Sequence, residues 1–307
     1  LPALDSNVDD FDLQAQDAPP PQQQGSQDSF ADHFGSDPFG DAHRAAAGGA
    51  APRANTRIQF NDDQQAAIDA FCTAKTGTFF LGAPAGCGKT VVANEIMRQH
   101  ERRGQKILAC ATCGVAATLL GDSRRGTQGI TAHSLFRIPV VAPGLDPVSG
   151  IQPHTRQADR LRAADGFIWD EIVMANKNLL EAVDQVLRFV MGSPRPFGGK
   201  KILLMGDFRQ MLPVVRGKGN QDAVVLASCI TQWELWPDVQ KIFLTRNMRV
   251  ERFGNTAALR DHAAWLLKVG EGDAGILKSV PNSKRKVVAI PPAHKLELKL
   301  AEALEWL

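Results

Sequence analysis

The sequence predicts an α/β fold in which a parallel sheet is flanked by helices, and three observations carry that prediction. Five apolar runs have the length and composition of buried strands. Helical segments separate these runs, and the first run ends in a loop of small residues that closes with Gly88-Lys89-Thr90. Strand, turn and helix in that order imply parallel strands joined by crossover helices. Ligands bind at the carboxyl ends of such strands, so the functional residues are expected there.

The predicted strands are 79–81, 106–111, 166–169, 201–206 and 241–245. Helices are expected from Thr90 to about Arg103, over residues 115–120, around residues 179–190 and over residues 258–267. Residues 139–157 are rich in proline and glycine, which predicts a loop or a short hairpin.

The composition is that of a folded domain with an acidic extension. The chain has 307 residues, of which 44% are hydrophobic, enough for a sizeable buried core. No apolar run approaches the roughly 18 residues of a membrane span, and the N-terminus lacks a secretory pattern. These features predict a soluble, intracellular protein with no membrane partner.

Charge is distributed unevenly along the chain. Residues 1–55 contain nine aspartates and two arginines, a balance of −7, so the net charge of +2 leaves +9 for the remainder. That remainder suits a polyanionic partner, although a charge of this size is also common in proteins that bind none. The first 55 residues are otherwise rich in Gln, Pro, Ala and Gly, with too little apolar surface to offset chain entropy. They are predicted to form a disordered acidic arm.

The first ordered element is predicted to be a helix capped by Asn61, with Ile68 and Phe71 on its apolar face. A helix that precedes a nucleotide-binding strand can place an amide side chain near the edge of an adenine. Gln64 is the candidate for that contact. Taken alone, Gln64 would be interpreted as a solvated helix residue.

The stretch from Phe79 to Thr90 has the features of a phosphate-binding loop. Its backbone N–H groups would face a polyphosphate, and the N-terminus of the following helix would add partial positive charge. The backbone contacts are assigned to Ala85, Gly86, Cys87 and Gly88. Lys89 is expected to reach the β- and γ-phosphates, and the Thr90 hydroxyl to take one position on Mg²⁺. Ala83 stands where such loops usually have their first glycine, so the motif is imperfect.

The three later strands deliver residues suited to the transfer of a phosphoryl group to water. Asp170 would hold Mg²⁺ through its water shell, and Glu171 would orient and deprotonate the attacking water. The Gln210 amide can donate to a terminal phosphate while accepting from that water. Arg249 can supply a planar, fixed positive charge. Taken separately, such a Gln or Arg is usually a surface residue, and an Asp-Glu pair is often a solvated turn.

Together and in this order, the motifs resemble the first motor domain of superfamily 1 DNA helicases of the petite-integration-frequency (PIF) type, a group close to RecD-like and Helitron-transposon helicases. The resemblance is carried by the helix with Gln64, GAPAGCGKT, Thr112 with TAHSLF, WDE, PFGGKKILLMGDFRQMLPV and LTRNMRV. The run from PFGGK to GDFRQMLPV is the most specific of these. The resemblance covers about residues 58–270.

The resemblance implies a RecA-like P-loop NTPase fold, and ATP hydrolysis that drives 5′-to-3′ movement on single-stranded DNA and unwinding at duplex junctions. It also implies a role in DNA repair, recombination, telomere maintenance or transposition, and a nuclear location. In such a protein Gln64 would read adenine. The catalytic residues would be Lys89, Glu171, Gln210 and Arg249. The DNA contacts would fall at Thr112, His133 and Phe136, where an aromatic face can stack on a base.

The predicted organisation is an arm over residues 1–55, a motor domain over 56–254 and, over 255–307, the start of a connection to a missing second RecA-like domain. Such motors step as the cleft between two RecA-like domains opens and closes. This chain is therefore predicted to be a helicase fragment that cannot unwind DNA by itself. Two alternatives stay open: a non-catalytic nucleic-acid-binding or regulatory fragment, and a P-loop ATPase that acts on protein.

Overall fold

A computed structural model of the chain describes residues 58–141, 146–213, 215, 221–273, 276–279 and 286–288. The acidic arm predicted for residues 1–55 lies outside this described part. Among the described residues, no helix combines the length and apolar character that crossing a bilayer requires.

A sheet of six parallel strands forms the centre of the fold, in the spatial order β3-β2-β4-β5-β1-β6. The strands are β1 (Gly77–Gly82), β2 (Ile107–Ala111), β3 (Ile130–Thr131), β4 (Gly166–Asp170), β5 (Lys201–Gly206) and β6 (Gln240–Phe243). The predicted fold class and all five predicted strands are confirmed. The additional strand, β3, has two residues, too few to produce a sequence pattern.

Helices connect the strands. They are α1 (Asp62–Thr73), α2 (Lys89–Arg102), α3 (Gly114–Thr118), α4 (Ala132–Phe136), α5 (Arg156–Arg162), α6 (Lys177–Met191), α7 (Gln221–Ser228), α8 (Met248–Arg252) and α9 (Ala257–Glu271). Short 3₁₀ turns lie at 123–125, 172–174, 196–199, 230–232 and 236–238. Asn61 caps α1 as predicted, through a capping box with Gln64.

The two faces of the sheet are covered by separate apolar clusters. Successive side chains of β4 show the alternation, since Phe167 and Trp169 belong to one cluster and Ile168 to the other. Helices α4, α5 and α6 cover the first face, and α1 and α2 cover the second. Burial on both faces explains why the strands are continuous apolar runs.

A buried lysine ties α1 to the amino-terminal edge of the sheet. The Lys201 ammonium, at the start of β5, donates to the carbonyls of Phe71 (3.0 Å) and Ala74 (2.9 Å). It also donates to Nε2 of His100 in α2, at 2.9 Å. Lys201 thus satisfies carbonyls at the C-terminus of α1 that have no partner within the helix.

Beyond β6 the described chain continues into α8 and α9. It then forms an antiparallel pair, β7 (Ile276–Ser279) and β8 (Lys286–Val288), in which Ile276 lies opposite Val288. The predicted boundary at residue 254 falls between α8 and α9. The division into domains stays a prediction.

Candidate functional site

The carboxyl edge of the sheet collects the residues that the sequence analysis selected. Because all six strands are parallel, the chain leaves every strand at this edge. The loop after β1 is the glycine-rich loop, Thr112 follows β2, and His133 follows β3. Asp170 ends β4, Gln210 follows β5, and Arg249 follows β6.

Two glycines of the loop after β1 are required by backbone conformation and by close neighbours. Gly86 has φ +86°, and a Cβ there would lie 2.7 Å from Oδ1 of Asn247. Gly88 has φ +93°, and a Cβ there would lie 2.6 Å from Nε2 of Gln64. A side chain at either position would combine backbone strain with a clash. In contrast, Ala83 is buried and is absent from the described residues with positive φ, which explains why this position accepts a side chain.

Lys89 lies at the N-terminus of α2 and folds back over the loop. Its Nζ donates to the Ala83 carbonyl at 2.7 Å. To bind a nucleotide as predicted, the ammonium would exchange this carbonyl for phosphate oxygens.

Gln64 holds the same loop from the α1 side. Its Nε2 donates to the Cys87 carbonyl at 2.9 Å, and its Oε1 accepts from the Asn61 N–H at 3.2 Å. The side chain is 3% exposed, so it is not the solvated helix residue of the alternative interpretation. The role of Gln64 in reading adenine stays a prediction, and the structure adds a bond between α1 and the loop.

Asp170 is the last residue of β4, and Glu171 directly follows it. Asp170 is buried, and its Oδ1 accepts from the Glu171 N–H at 2.8 Å. Burial raises the Asp170 pKa to about 6, and the negative charge of Glu171 adds to the rise, while the Glu171 N–H and the Lys89 charge oppose it. Glu171 has φ +52°, a left-handed conformation that is uncommon for residues other than glycine. Such conformations concentrate at functional sites.

A buried carboxylate positions Gln210. Asp207, directly after β5, accepts from Nε2 of Gln210 (3.2 Å) through Oδ2 and from the Arg209 N–H (3.1 Å) through Oδ1. Asp207 was not among the predicted site residues, because nothing in a sequence shows which side chain its carboxylate will contact.

Arg249 is brought to the glycine-rich loop by a backbone contact, since its N–H donates to the Gly86 carbonyl at 3.2 Å. A cleft of about 510 Å³ lies between these segments. It is lined by all four predicted catalytic residues, Lys89, Glu171, Gln210 and Arg249, together with Ala85, Gly86, Gly88, Thr90 and Asp170.

Comparison with known proteins agrees with this arrangement. The sequence profile of the family described as "PIF1-like helicase" matches residues 59–279. The chain belongs to the PIF1-like helicase family.

Two curated relatives and one solved structure illustrate the family similarity. "Uncharacterized protein 030L" of Invertebrate iridescent virus 6 is 30% identical over 212 residues, 65% of this chain and 37% of that protein. "ATP-dependent DNA helicase Pif1" of Bdellovibrio bacteriovorus is 30% identical over 194 residues, 63% of this chain and 40% of that protein. The chain thus spans about two fifths of the length of these relatives.

The solved structure is that of the Bacteroides Pif1 helicase in complex with ADP-AlF3 and single-stranded DNA. It is similar with a TM-score of 0.57 and 22% identity, over 71% of this chain and 48% of that chain. This likeness supports the RecA-like fold of the PIF1-like domain.

Thr112 and His133, two of the three predicted DNA contacts, lie together in the PIF1-like domain. Both line a cleft of about 230 Å³ at the ends of β2 and β3. Nδ1 of His133 donates to the Ile138 carbonyl at 2.8 Å, and the Thr112 hydroxyl accepts from the indole N–H of Trp169 at 3.0 Å. The Thr112 N–H also donates to the Asp170 carbonyl (3.1 Å), so this cleft is joined to the end of β4.

The prediction that Phe136 stacks on a base is wrong. Its side chain is 0% exposed and packs against Phe167 and Trp169, with ring centroids 5.7 and 6.2 Å away. The sequence showed an aromatic residue near His133 but not the face of α4 that carries it. Since Phe136 belongs to the core, it offers no surface to DNA.

Two residues at the rim of the main cleft were not predicted from the sequence. Arg252 and Phe253 both line it, and Phe253 is 69% exposed. They follow LTRNMRV by a few residues, and their approach to the loop after β1 depends on the direction of α8, which the sequence pattern does not show.

Proposed function

We propose that the chain contains the ATP-hydrolysing motor domain of a DNA helicase. The chain would bind ATP with Mg²⁺ in the cleft between the glycine-rich loop, Asp170 and Arg249. It would couple hydrolysis to 5′-to-3′ movement on single-stranded DNA, in repair, recombination, telomere maintenance or transposition in the nucleus. A helicase that unwinds duplex junctions would need the second RecA-like domain as well.

One observation carries this proposal: four residues suited to hydrolysis, which follow four different strands, line a single cleft. Lys89 is the first residue of α2, Glu171 directly follows β4, Gln210 lies in the loop after β5 and Arg249 lies in α8. A domain that only bound nucleotide would need the phosphate cradle but neither Glu171 nor Gln210. The full set favours hydrolysis.

The side chains that line the cleft are suited to bind Mg²⁺ together with the phosphates of a nucleotide. Among the described residues, no group of three His, Cys, Asp or Glu side chains could hold a metal by itself. Mg²⁺ keeps several waters and is commonly bound by one or two protein oxygens together with phosphate oxygens. Thr90 and Asp170, both at the cleft, would provide the protein oxygens. When bound, the cation would neutralise charge on the phosphates.

In the proposed reaction, water attacks the γ-phosphorus, the bond to the β–γ bridging oxygen breaks, and ADP and phosphate form. Glu171 takes the proton of the attacking water. Gln210, held by Asp207, accepts a hydrogen bond from that water and donates to the γ-phosphate. Lys89 and Arg249 stabilise the charge on the transferred group, as positioned cations do in phosphoryl transfer.

Single-stranded DNA would bind at the cleft of Thr112 and His133. The support for this location is its connection to the nucleotide site. The Thr112 N–H is bonded to the Asp170 carbonyl, and the Thr112 hydroxyl is bonded to Trp169, the residue before Asp170. A movement of Thr112 on DNA binding would therefore displace the end of β4. The 5′-to-3′ direction is inferred from the family alone.

The test is the ATPase rate of this chain with Mg²⁺, measured with and without single-stranded DNA, beside a Glu171→Gln variant. We expect turnover that DNA stimulates and that the variant lacks. Turnover insensitive to DNA would favour the alternative of an ATPase that acts on protein. DNA binding without nucleotide binding would favour a regulatory fragment.

A further inference from the structure

An ion pair joins the last turn of α9 to the loop that carries Gln210. Nε of Arg209 donates to Oε1 of Glu271 at 2.9 Å, and Glu271 is the final residue of α9. The two side chains are 40% and 43% exposed, so the energy of this ion pair is small in water. The ion pair matters because it connects α9 to the loop that carries Gln210.

Arg209 also contacts Asp207, the residue whose carboxylate accepts from the Gln210 amide. Asp207 accepts from the Arg209 N–H (3.1 Å) through Oδ1, and Nη1 of Arg209 lies 3.7 Å from the same oxygen. The second oxygen of Asp207 accepts from the Gln210 amide. A change of partner at Gln210 would therefore alter the bonding of Asp207 and, through it, the position of Arg209.

The contact between Arg209 and α9 is also steric. A Cβ at Gly270 would lie 2.8 Å from Cβ of Arg209 and 3.2 Å from its carbonyl oxygen. Glycine inside a helix costs about 1 kcal/mol relative to alanine. The close approach of Arg209 explains why a glycine stands there, and it means that α9 cannot shift past this loop without pushing it.

The whole of α9 lies at the surface of the domain. None of its 15 residues is buried. Cavities of about 550 and 560 Å³ separate it from the carboxyl edge of the sheet, and Leu267 lines both of them. A surface helix with space between it and the sheet can change its orientation.

We propose that Arg209 is a positioning residue that couples the state of the γ-phosphate at Gln210 to the orientation of α9. This inference rests on the proposed function, since it requires ATP in the cleft. With the γ-phosphate present, Gln210 donates to it and its bond to Asp207 is weakened. When phosphate leaves, Gln210 returns to Asp207, and Arg209 moves with the last turn of α9. The helix thereby carries the hydrolysis signal to the chain that follows.

The test compares two nucleotide states of this 307-residue chain by hydrogen exchange of the α9 amides. One state contains Mg²⁺ and ADP, and the other contains Mg²⁺ and a non-hydrolysable ATP analogue. Binding of each nucleotide is measured separately by fluorescence titration. We expect exchange in the last turn of α9 to differ about fivefold or more between the two states, the range of typical allosteric couplings.

Two variants remove the proposed coupling in different ways. Arg209→Glu replaces the ion pair with repulsion, and Gly270→Ala separates the helix from the loop without changing charge. Each should abolish the difference between nucleotide states and leave both nucleotide affinities within about threefold, because neither residue is assigned a contact with nucleotide. A purely structural role would instead change exchange equally in both states.

Matched controls are available in the same chain. Arg125 forms a similarly exposed ion pair with Glu101 (3.1 Å), so Arg125→Glu makes the same charge change at another pair. Val269 lies in the last turn of α9 but lines neither cavity, so Val269→Ala perturbs the helix alone. Both controls should keep the difference between nucleotide states.

The outcomes separate this inference from the proposed function. If the wild-type chain binds neither nucleotide, the proposed function fails, and the coupling fails with it. If both nucleotides bind and α9 exchanges equally in the two states, only the coupling is overturned. The coupling would also be overturned if Arg209→Glu or Gly270→Ala kept the difference in α9 exchange between the two nucleotide states. Loss of that difference in either control variant would overturn it as well.

Discussion

The side-chain amide of Gln64 donates to the Cys87 carbonyl across 2.9 Å, and both residues are buried. This bond joins the first turn of α1 to the loop that follows β1. Because Oε1 of Gln64 also accepts from the Asn61 N–H, the side chain uses its donor and its acceptor within the protein. The loop is thus held in shape by a residue that the sequence analysis assigned to the adenine.

Replacing Gln64 with alanine should therefore lower stability as well as any selectivity for adenine. The variant leaves the buried Cys87 carbonyl without its partner, which costs about 1–3 kcal/mol in the free energy of unfolding. Urea denaturation measures this loss, and nucleotide titrations compare ATP with GTP. The control is Gln65→Ala, since Gln65 is exposed and its side-chain amide donates to Asp69 within α1. Equal stability of the two variants would contradict the role of Gln64 in holding the loop.

Replacing Ala83 with glycine should affect stability, whereas replacing Gly88 with alanine should affect nucleotide binding. Ala83→Gly removes a buried methyl and adds chain entropy to the unfolded state, so we expect a loss of about 1–2 kcal/mol with unchanged nucleotide affinity. Gly88→Ala places a Cβ at φ +93° and 2.6 Å from the Gln64 amide, and should abolish nucleotide binding. Urea titration and nucleotide titration measure the two effects. Tighter nucleotide binding by Ala83→Gly would show that the alanine weakens the loop.

Asp170 should make binding of the Mg²⁺–nucleotide complex sensitive to pH. Its pKa is raised from 3.8 to about 6, chiefly by burial. A proton competes with the cation for the carboxylate, so affinity for the complex should fall as the pH is lowered from 7.5 through 6. Asp170→Asn should bind weakly at every pH. A wild-type affinity that stays constant between pH 7.5 and 5.5 would exclude a contribution of Asp170 to cation binding.

The raised pKa of Asp170 should also make the stability of the nucleotide-free protein depend on pH. Because the folded pKa is raised, the neutral carboxyl stabilises the fold fully below about pH 4, and this stabilisation is lost as the pH rises through about 6. The shift corresponds to about 3 kcal/mol. The difference in free energy of unfolding between the wild type and Asp170→Asn, followed from pH 4 to 7, measures it. A constant difference would show that Asp170 does not titrate in this range.

His100 should give a pH dependence of the opposite sign. Its Nε2 accepts from the Lys201 ammonium and its Nδ1 donates to the Ile96 carbonyl (2.8 Å), an arrangement that requires the neutral ring. Burial lowers the His100 pKa, and the charges of Lys201 and Arg103 lower it further against the opposing Ile96 bond. The stabilisation is therefore present above about pH 6.5 and lost as the pH falls through the lowered pKa.

The measurement is urea unfolding of the wild type and His100→Gln between pH 7.5 and 5. The wild type should lose stability relative to the variant as the pH falls, because glutamine has no proton to gain and can still accept from Lys201. Parallel curves for the two proteins would show that His100 does not titrate on unfolding in this range.

Much of the architecture could be predicted because strands buried on both faces are continuous apolar runs. The runs at Phe79, Phe167 and Leu203 identified three neighbouring strands, and their parallel direction placed the following residues at one edge. Strand β3 could not be found in this way, since two residues carry no periodicity. Phe136 was misplaced for a related reason: α4 has five residues, too few to show which of its faces is buried.

The sequence by itself determined the order of the longer strands along the chain, the glycine-rich loop after β1 and four of the residues that line the cleft, namely Lys89, Glu171, Gln210 and Arg249. These features depend on local patterns, namely apolar runs, glycines and polar residues at strand ends. Only the tertiary structure decided the bonds of Gln64 to Cys87, of Gln210 to Asp207 and of Arg209 to Glu271. The first and third of these join residues 23 and 62 positions apart. Their directions depend on how α1 and α9 approach the carboxyl edge of the sheet, and packing rather than local pattern sets that approach.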